Sequence, residues 1–281
     1  MSQIIDLIGC QKQSGDIGVE IEVEADNLPH PSLVDYYWRT ERDNSLRGNS
    51  AEYVLRKPET LRGVENALKL LEREFEKANT QVRPTYRAGI HIHVNVQDLT
   101  PKQLITYIAS YLMLEEVLVR YCDNSRLGNH FCLRMSDASY FMDVMTDVIT
   151  RGDLAVFNTE DIRYASINVT SLFKYGSIEF RALESTFDRD KILNWAGALK
   201  QLKDFSKTIQ IPTDLLGQAS MDGFESYARL MLGNYAAVYV PYITRQNVEI
   251  GVRNIQHPLF SRVWDRPDLN IFDKKSIFST P

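Results

Sequence analysis

Residues 16–26, DIGVEIEVEAD, place Glu20, Glu22 and Glu24 at every second position, with Val19, Ile21 and Val23 between them. Residues 87–96, RAGIHIHVNV, repeat the design with His91, His93 and Asn95, and residues 177–182, SIEFRA, set Glu179 and Arg181 against Ile178 and Phe180. A period of two is that of a β-strand, whose side chains alternate between its faces. Each segment therefore predicts a strand with one aliphatic face and one face that could do chemistry. If the three are neighbours in one antiparallel sheet, with helices on the aliphatic side, the other face gathers carboxylates, imidazoles and a guanidinium. Glutamates at i and i+2 repel unless a cation lies between them, and Mg2+ or Mn2+ are hard ions that prefer carboxylate oxygen. A solvated sheet face would also carry polar residues at alternate positions. Such faces usually mix lysines with acids so that cross-strand charges compensate, and these acids have no lysines among them. Periodicity alone leaves both readings open.

Other chemistries find less support. His-x-His on a strand also opens the zinc site of amidohydrolases, but those need further His and Asp at later strand ends. His30, His130 and His257 do not sit in such places and read as ordinary hydrogen-bonded histidines. The sequence has no G-x-x-x-x-G-K-[ST] loop, no G-x-G-x-x-G after a strand and no G-x-S-x-G elbow. A nucleotide, if handled, must be held through metal and sheet side chains.

The elements that would position these residues follow from patterning. Strands are expected around Trp38 and over Ala51–Arg56, separated by a turn at Asp43-Asn44-Ser45. Leu61, Val64, Leu68, Leu71, Phe75 and Ala78 fall on one stripe of an amphipathic helix within 59–79. LTPKQ starts a second helix, with Thr100 as N-cap, Pro101 at the first helical position and Gln103 closing a capping box, running to about Tyr121. A weaker helix is expected over 136–150. Strands over 165–170 and 177–182 flank Lys174-Tyr175-Gly176, which reads as a hairpin turn. A helix over 188–207 follows, and beyond Pro212 the pattern supports only one near Phe224–Asn234.

With 281 residues, 44% hydrophobic and 25% charged, the chain has the composition of a globular protein, and its net charge of -5 gives no footprint for nucleic acid. Cys10, Cys122 and Cys132 are too few and too far apart for a disulfide framework. The N-terminal MSQIIDLIGC lacks a signal peptide's basic flank, and the apolar run 104–114 is too short and polar for a membrane span. A cytoplasmic protein without membrane contact is expected.

Read in order, IGVEIEVE, Trp38 with RDNSL and AEYVLRKP, AGIHIHVNV, RYASINV and SIEFRALESTFD followed by Trp195 resemble one family. It is the amidoligase branch of the glutamine-synthetase-like carboxylate-amine ligases, which also include glutamate-cysteine ligases and, more distantly, guanidino kinases. The resemblance covers about residues 16–195, and its specificity lies in the order of the motifs. It implies an α+β protein with a curved, mainly antiparallel sheet, helices packed on one face and the site on the other, in the glutamine-synthetase-like fold. Residues 1–210 would be the catalytic domain and 211–281 an extension packed on it.

The implied activity is ATP-dependent ligation of a carboxylate to an amine, forming an amide or isopeptide bond through an acyl phosphate. Glu20, Glu22, Glu52, His91 and Glu179 would hold Mg2+ or Mn2+ ions that carry the ATP phosphates. Arg181 would contact the transferring phosphoryl group, Arg163 with Asn168 would reach ATP phosphate or the acceptor carboxylate, and His91 would also face the nucleotide. His93, Asn95, Asp43 and Ser45 would contact substrate, and Glu24 or Glu184 would take the amine's proton. Partners would be small-molecule or peptide carboxylates and amines, and oligomers are compatible with the family. One departure is Ser185, where the family usually has Gly in the turn after EFR. A non-catalytic binding protein on the same fold and a guanidino phosphotransferase are the competing readings.

Overall fold

The computed structural model describes residues 2–83, 85–138 and 140–264. In chain order its strands and α-helices are α1 (Ile4–Ile8), β1 (Ile17–Asp26), β2 (Trp38–Glu41), β3 (Ser50–Leu55), α2 (Leu61–Ala78), β4 (Gln81–Val82), β5 (Gly89–Asn95) and α3 (Pro101–Val119). They continue with α4 (Tyr140–Arg151), β6 (Ile167–Asn168), α5 (Ser171–Tyr175), β7 (Ser177–Glu184), α6 (Arg189–Ser206), α7 (Asp214–Asp222), α8 (Phe224–Leu232), α9 (Ala236–Tyr239) and α10 (Arg245–Phe260). The class is α+β, as expected, and the pairings between named strands are all antiparallel.

The strands run in the order β2-β3-β1-β5-β7-β6, with β4 paired to the end of β1. Segments 16–26, 87–96 and 177–182, which contribute β1, β5 and β7, are therefore adjacent. Their aliphatic faces, Val19, Ile21, Val23, Ile90, Ile92, Val94, Ile178 and Phe180, are buried in a core shared with α2, α3 and α6. Trp38 of β2 donates its indole N–H to Ala67 O of α2, and Phe180 packs against Tyr107 and Tyr111 of α3.

Capping fixes where the helices begin. Thr60 accepts from Gly63 N–H, and Thr100 and Gln103 form the reciprocal capping box expected from LTPKQ. The α3 helix is buried almost all round, because α10 covers the side turned from the sheet. Among the described residues no helix is long and apolar enough to cross a membrane. Residues 265–281 of the predicted extension lie outside the described residues.

Two expectations fail for physical reasons. Lys174-Tyr175-Gly176 is not a hairpin turn: β6 is short, and α5 carries the chain to Gly176, whose φ of +68° makes it a left-handed helix cap. A glycine at positive φ serves either structure, so the tripeptide could not decide. The helices at 214–222 and 245–260 were missed as well, and in α10 the apolar stripe Val248, Ile255, Leu259 is interrupted by Gly251.

That glycine lies where α10 meets α3. A Cβ there would sit 2.0 Å from Met113 O, a backbone atom that cannot turn away. Gly251→Ala is expected to destabilise the protein by about 1–3 kcal/mol through overpacking. Urea unfolding at constant m-value checks this, and an unchanged midpoint would mean the two helices separate without cost.

Candidate functional site

Register decides which polar side chains meet. Glu20 of β1 is opposite His91 of β5, Glu22 is opposite Glu52 of β3, His93 is opposite Glu179 of β7, and Glu179 is opposite Asn168 of β6. The polar faces of five strands thus form one continuous surface. Two compartments lie over it, sharing Glu20, Arg39, Val54, His93, Lys174 and Tyr175. The acidic one, of about 340 Å³, contains Glu20, Glu22, Asp43, Glu52, His91, Arg163, Asn168, Glu179 and Arg181. The other, of about 480 Å³, is lined by apolar Val19, Leu55 and Pro58 together with Gln11, Gln13, Asn95, Arg56 and Lys57.

The acids form two groups. One oxygen each of Glu20 and Glu179 and a ring nitrogen of His93 lie within 4.8 Å of one another, as do oxygens of Glu22, Asp43 and Glu52. His91 stands between the groups, with Nδ1 3.3 Å from both Glu20 Oε2 and Glu179 Oε1, and Nε2 3.8 Å from Glu22 Oε2. The structure therefore gathers all five residues expected to bind metal, and adds His93 and Asp43, which the sequence reading assigned to substrate.

Each buried carboxylate is balanced differently. Burial alone would raise the Glu20 carboxyl, but the His93 and His91 imidazoles outweigh it and hold the group far below the carboxylate range. Burial likewise opposes the charged form of His93, and Glu20 and Glu179 overcome it, so the imidazole gains basicity. Glu179, also opposed by burial, is kept ionised by Arg181, His93 and His91, and accepts from Asn168 Nδ2 at 2.7 Å. Glu22, 4% exposed, accepts from Gly89 N–H at 2.9 Å.

Glu52 has no such help. Burial, then Glu20, Glu22, Asp43 and Glu41, push its carboxyl up to about 8. His93 Nε2 is buried 3.2 Å from Glu20 Oε1 with no aligned hydrogen bond, and in the neutral ring its lone pair has no donor facing it. Mixed carboxylate and imidazole ligands, an acid whose carboxyl is pushed up to about 8 by burial and its neighbours, and a ring nitrogen without a hydrogen-bond partner form a set that a divalent ion, displacing the protons, would satisfy.

Arg181 pairs with Glu179 and donates from Nε to Phe131 O at 3.2 Å. Arg163 is exposed at the rim of the acidic compartment, over the Tyr164 ring. Asn95 donates to Gly15 O at 2.9 Å and lines the larger compartment. Asp43 accepts from Ser45 N–H, which shapes the turn after β2. Glu24 accepts from Arg47 N–H at 2.8 Å, Glu184 pairs with Lys191, and neither lines a compartment. Ser185 donates to Glu22 O at 2.6 Å, so its hydroxyl fastens β1. Sequence reasoning missed Arg39 and Lys174, which reach both compartments. Lys174 was hidden by the hairpin reading, and Arg39 by the shortness of β2.

The family model described as "Putative amidoligase enzyme" matches residues 54–202, more than half of the 281 residues. The matched span holds His91, His93, Arg163, Asn168, Glu179 and Arg181, while Glu20, Glu22, Asp43 and Glu52 precede it. No curated protein matches the chain. Among solved structures, the chain is similar to a bifunctional glutathione synthetase from Pasteurella multocida, at 10% identity and a TM-score of 0.40, over 91% of this chain and 51% of that one. The chain thus spans about half the length of that protein.

Glu52 gives the metal-free protein a pH signature. Below the carboxyl's ordinary value of 4.5 both the folded and the unfolded chain hold its proton; from there to about 8 only the folded chain does. Stability from this group is therefore complete at low pH and lost as pH rises through that window. Glu52→Gln is expected to flatten the wild-type decline in Tm across the window, read by calorimetry in EDTA as the difference between the two proteins. Identical slopes would show that Glu52 ionises freely.

Proposed function

The chain belongs to the amidoligase enzyme family, and we propose that within it the protein is an ATP-dependent carboxylate-amine ligase on the glutamine-synthetase-like fold. The single observation that carries this reading is the juxtaposition of two carboxylate clusters with Arg181 on one sheet face. A carboxylate does not condense with an amine in water, because oxide is too poor a leaving group. In the proposed reaction a substrate carboxylate oxygen attacks the γ-phosphorus of ATP, the bond to ADP breaks, and an acyl phosphate forms. The amine nitrogen then attacks the acyl carbon, phosphate departs with the C–O bonding electrons, and the nitrogen gives up a proton.

Glu20, Glu179 and His93 or His91 would hold one Mg2+ or Mn2+ ion, and Glu22, Asp43 and Glu52 another. Such ions would offset phosphate charge and lower the barrier to in-line transfer. Arg181 neutralises the transferring phosphoryl oxygens by exchanging part of its bond with Glu179 for them. Asn168 keeps Glu179 oriented, and Arg163 at the rim meets an entering carboxylate or phosphate. Asn95, which lines the larger compartment, and Ser45, in the turn that carries Asp43, remain candidates for substrate contact. For Glu24 to accept the proton it would use Oε2, since Oε1 is engaged by Arg47 N–H. All residues lining the two compartments precede residue 210, which supports 1–210 as the catalytic part and 211–281 as an extension. Small-molecule or peptide substrates suit compartments of this size.

Calorimetric titration of MgATP tests the nucleotide half: heat of binding is expected with wild type, and none in EDTA or with Glu20→Gln. Hydroxylamine, as a small amine, should convert candidate carboxylates into hydroxamates with phosphate release. Arg181→Lys should slow that reaction by about 100-fold. Absence of MgATP binding would favour a non-catalytic binding protein. Phosphoryl transfer to guanidino compounds without hydroxamate would favour the phosphotransferase.

A further inference from the structure

Arg126 is 1% exposed, and the hydrogen-bond partners of its guanidinium nitrogens among the described residues include no carboxylate. A buried guanidinium normally has one, because desolvating a lone charge is costly. Here it is met only by backbone carbonyls. Nη2 donates to Arg181 O at 2.7 Å, Nε to Ala182 O at 3.3 Å, and Nη1 to Tyr86 O and Ala88 O, both at 3.4 Å.

Two of those carbonyls, Arg181 O and Ala182 O, mark a defect in the sheet. On β5 and β7, Ile90 pairs with Leu183 but Ile92 pairs with Phe180, so His91 alone faces two residues, Arg181 and Ala182. This is a β-bulge, which bends a strand, re-aims its side chains and leaves ladder groups unpaired. Arg126 supplies donors to both bulged carbonyls. Its approach depends on Gly89, where a Cβ would lie 2.8 Å from Arg126 Nη2.

The same residue also governs the segment that holds the Arg181 side chain. Arg181 Nε donates to Phe131 O, five positions beyond Arg126 in the same loop. That loop is fastened by Arg126 and by Asn129, whose Nδ2 donates to Tyr86 O at 2.8 Å and whose Oδ1 accepts from Phe131 N–H at 2.9 Å.

We propose that Arg126 is the positioning residue for Arg181: its fork holds the bulged backbone on which Arg181 sits beside Glu179, and the loop whose Phe131 carbonyl fixes the guanidinium's orientation. The role of Arg181 in phosphoryl transfer rests on the function proposed above, whereas the positioning itself is a matter of geometry. Lysine keeps the charge but, with one nitrogen, cannot serve four carbonyls arranged around a planar fork.

The test uses Arg126→Lys in the full chain, with two readouts. The first is the 15N side-chain resonance of Arg181 Nε–H, assigned by its loss in Arg181→Lys. In wild type it should be protected from solvent exchange, and in Arg126→Lys it should exchange freely and move to the position of an unstructured arginine. The second is MgATP affinity in a double-mutant cycle. Arg126→Lys and Arg181→Lys should each weaken binding by about tenfold, and the double variant no more than either single one.

An unchanged Arg181 resonance, or losses that multiply in the double variant, would overturn the proposal and leave Arg126 a packing residue. If Arg126→Lys does not fold, Asn129→Ala serves instead: it loosens the Phe131 carbonyl and leaves the buried guanidinium, and should increase Arg181 Nε–H exchange. No increase in exchange overturns the proposal. If wild type binds no MgATP, the ligase reading fails, and the resonance still decides the geometry.

Discussion

Repulsion between carboxylates on one partly dry sheet face is the constraint to which the rest of this structure answers. Two like charges 4 Å apart cost about 4 kcal/mol at an effective dielectric constant near 20, and Glu22, Asp43 and Glu52 approach within 4.8 Å. The face survives because each acid finds a different compensation. Glu20 has imidazoles, Glu179 has Arg181 and Asn168, Glu22 has a backbone N–H, and Glu52 keeps its proton. Stability must then come from the opposite face, where each buried Val, Ile or Phe contributes about 1.5–3 kcal/mol. The strictly aliphatic alternation of β1 and β5 offsets the charge held on their other side.

That balance also pins the register. Because side chains alternate with a period of two, a slip by one residue would drive Glu20, Glu22, His91 and His93 into the packed core and expose Ile21 and Ile92. The helical layers add rigidity behind the sheet: α3 lies between the sheet and α10, and its Tyr107 and Tyr111 rings meet Phe180, the residue before Arg181. A site whose work is alignment of charged groups gains from a backing that leaves little room to shift.

The period of two made the strands and their two faces legible in the sequence, and the 3.6-residue stripe and Thr100 capping box made α2 and α3 legible. Partners across strands were not, since pairing of Glu20 with His91, or of His93 with Glu179, depends on strand order and register that no local pattern encodes. His93 and Asp43 read from the sequence as substrate contacts, and only register shows them beside the acids. The hairpin reading failed because Gly176 at positive φ fits a helix cap as well as a turn, and with it the position of Lys174 was lost. Arg126 left no signal at all: an arginine between Ser125 and Leu127 in a polar loop looks solvated until the fold buries it.

Where the period of two breaks is itself informative. In SIEFRALE, Ile178, Phe180 and Leu183 all enter the core, which regular alternation forbids. One extra residue between Phe180 and Leu183 resolves the conflict, so the bulge is required by the sequence as soon as both hydrophobic positions are buried. It falls on Arg181, the cation that balances Glu179, opposite the one imidazole standing between both acid groups. Local rules tend to fail where chemistry has imposed its own geometry, and here the failure costs two unpaired carbonyls that a buried arginine must satisfy. The irregular residue, its carboxylate partner and the guanidinium behind it are therefore one physical unit, joined through the backbone of a single strand.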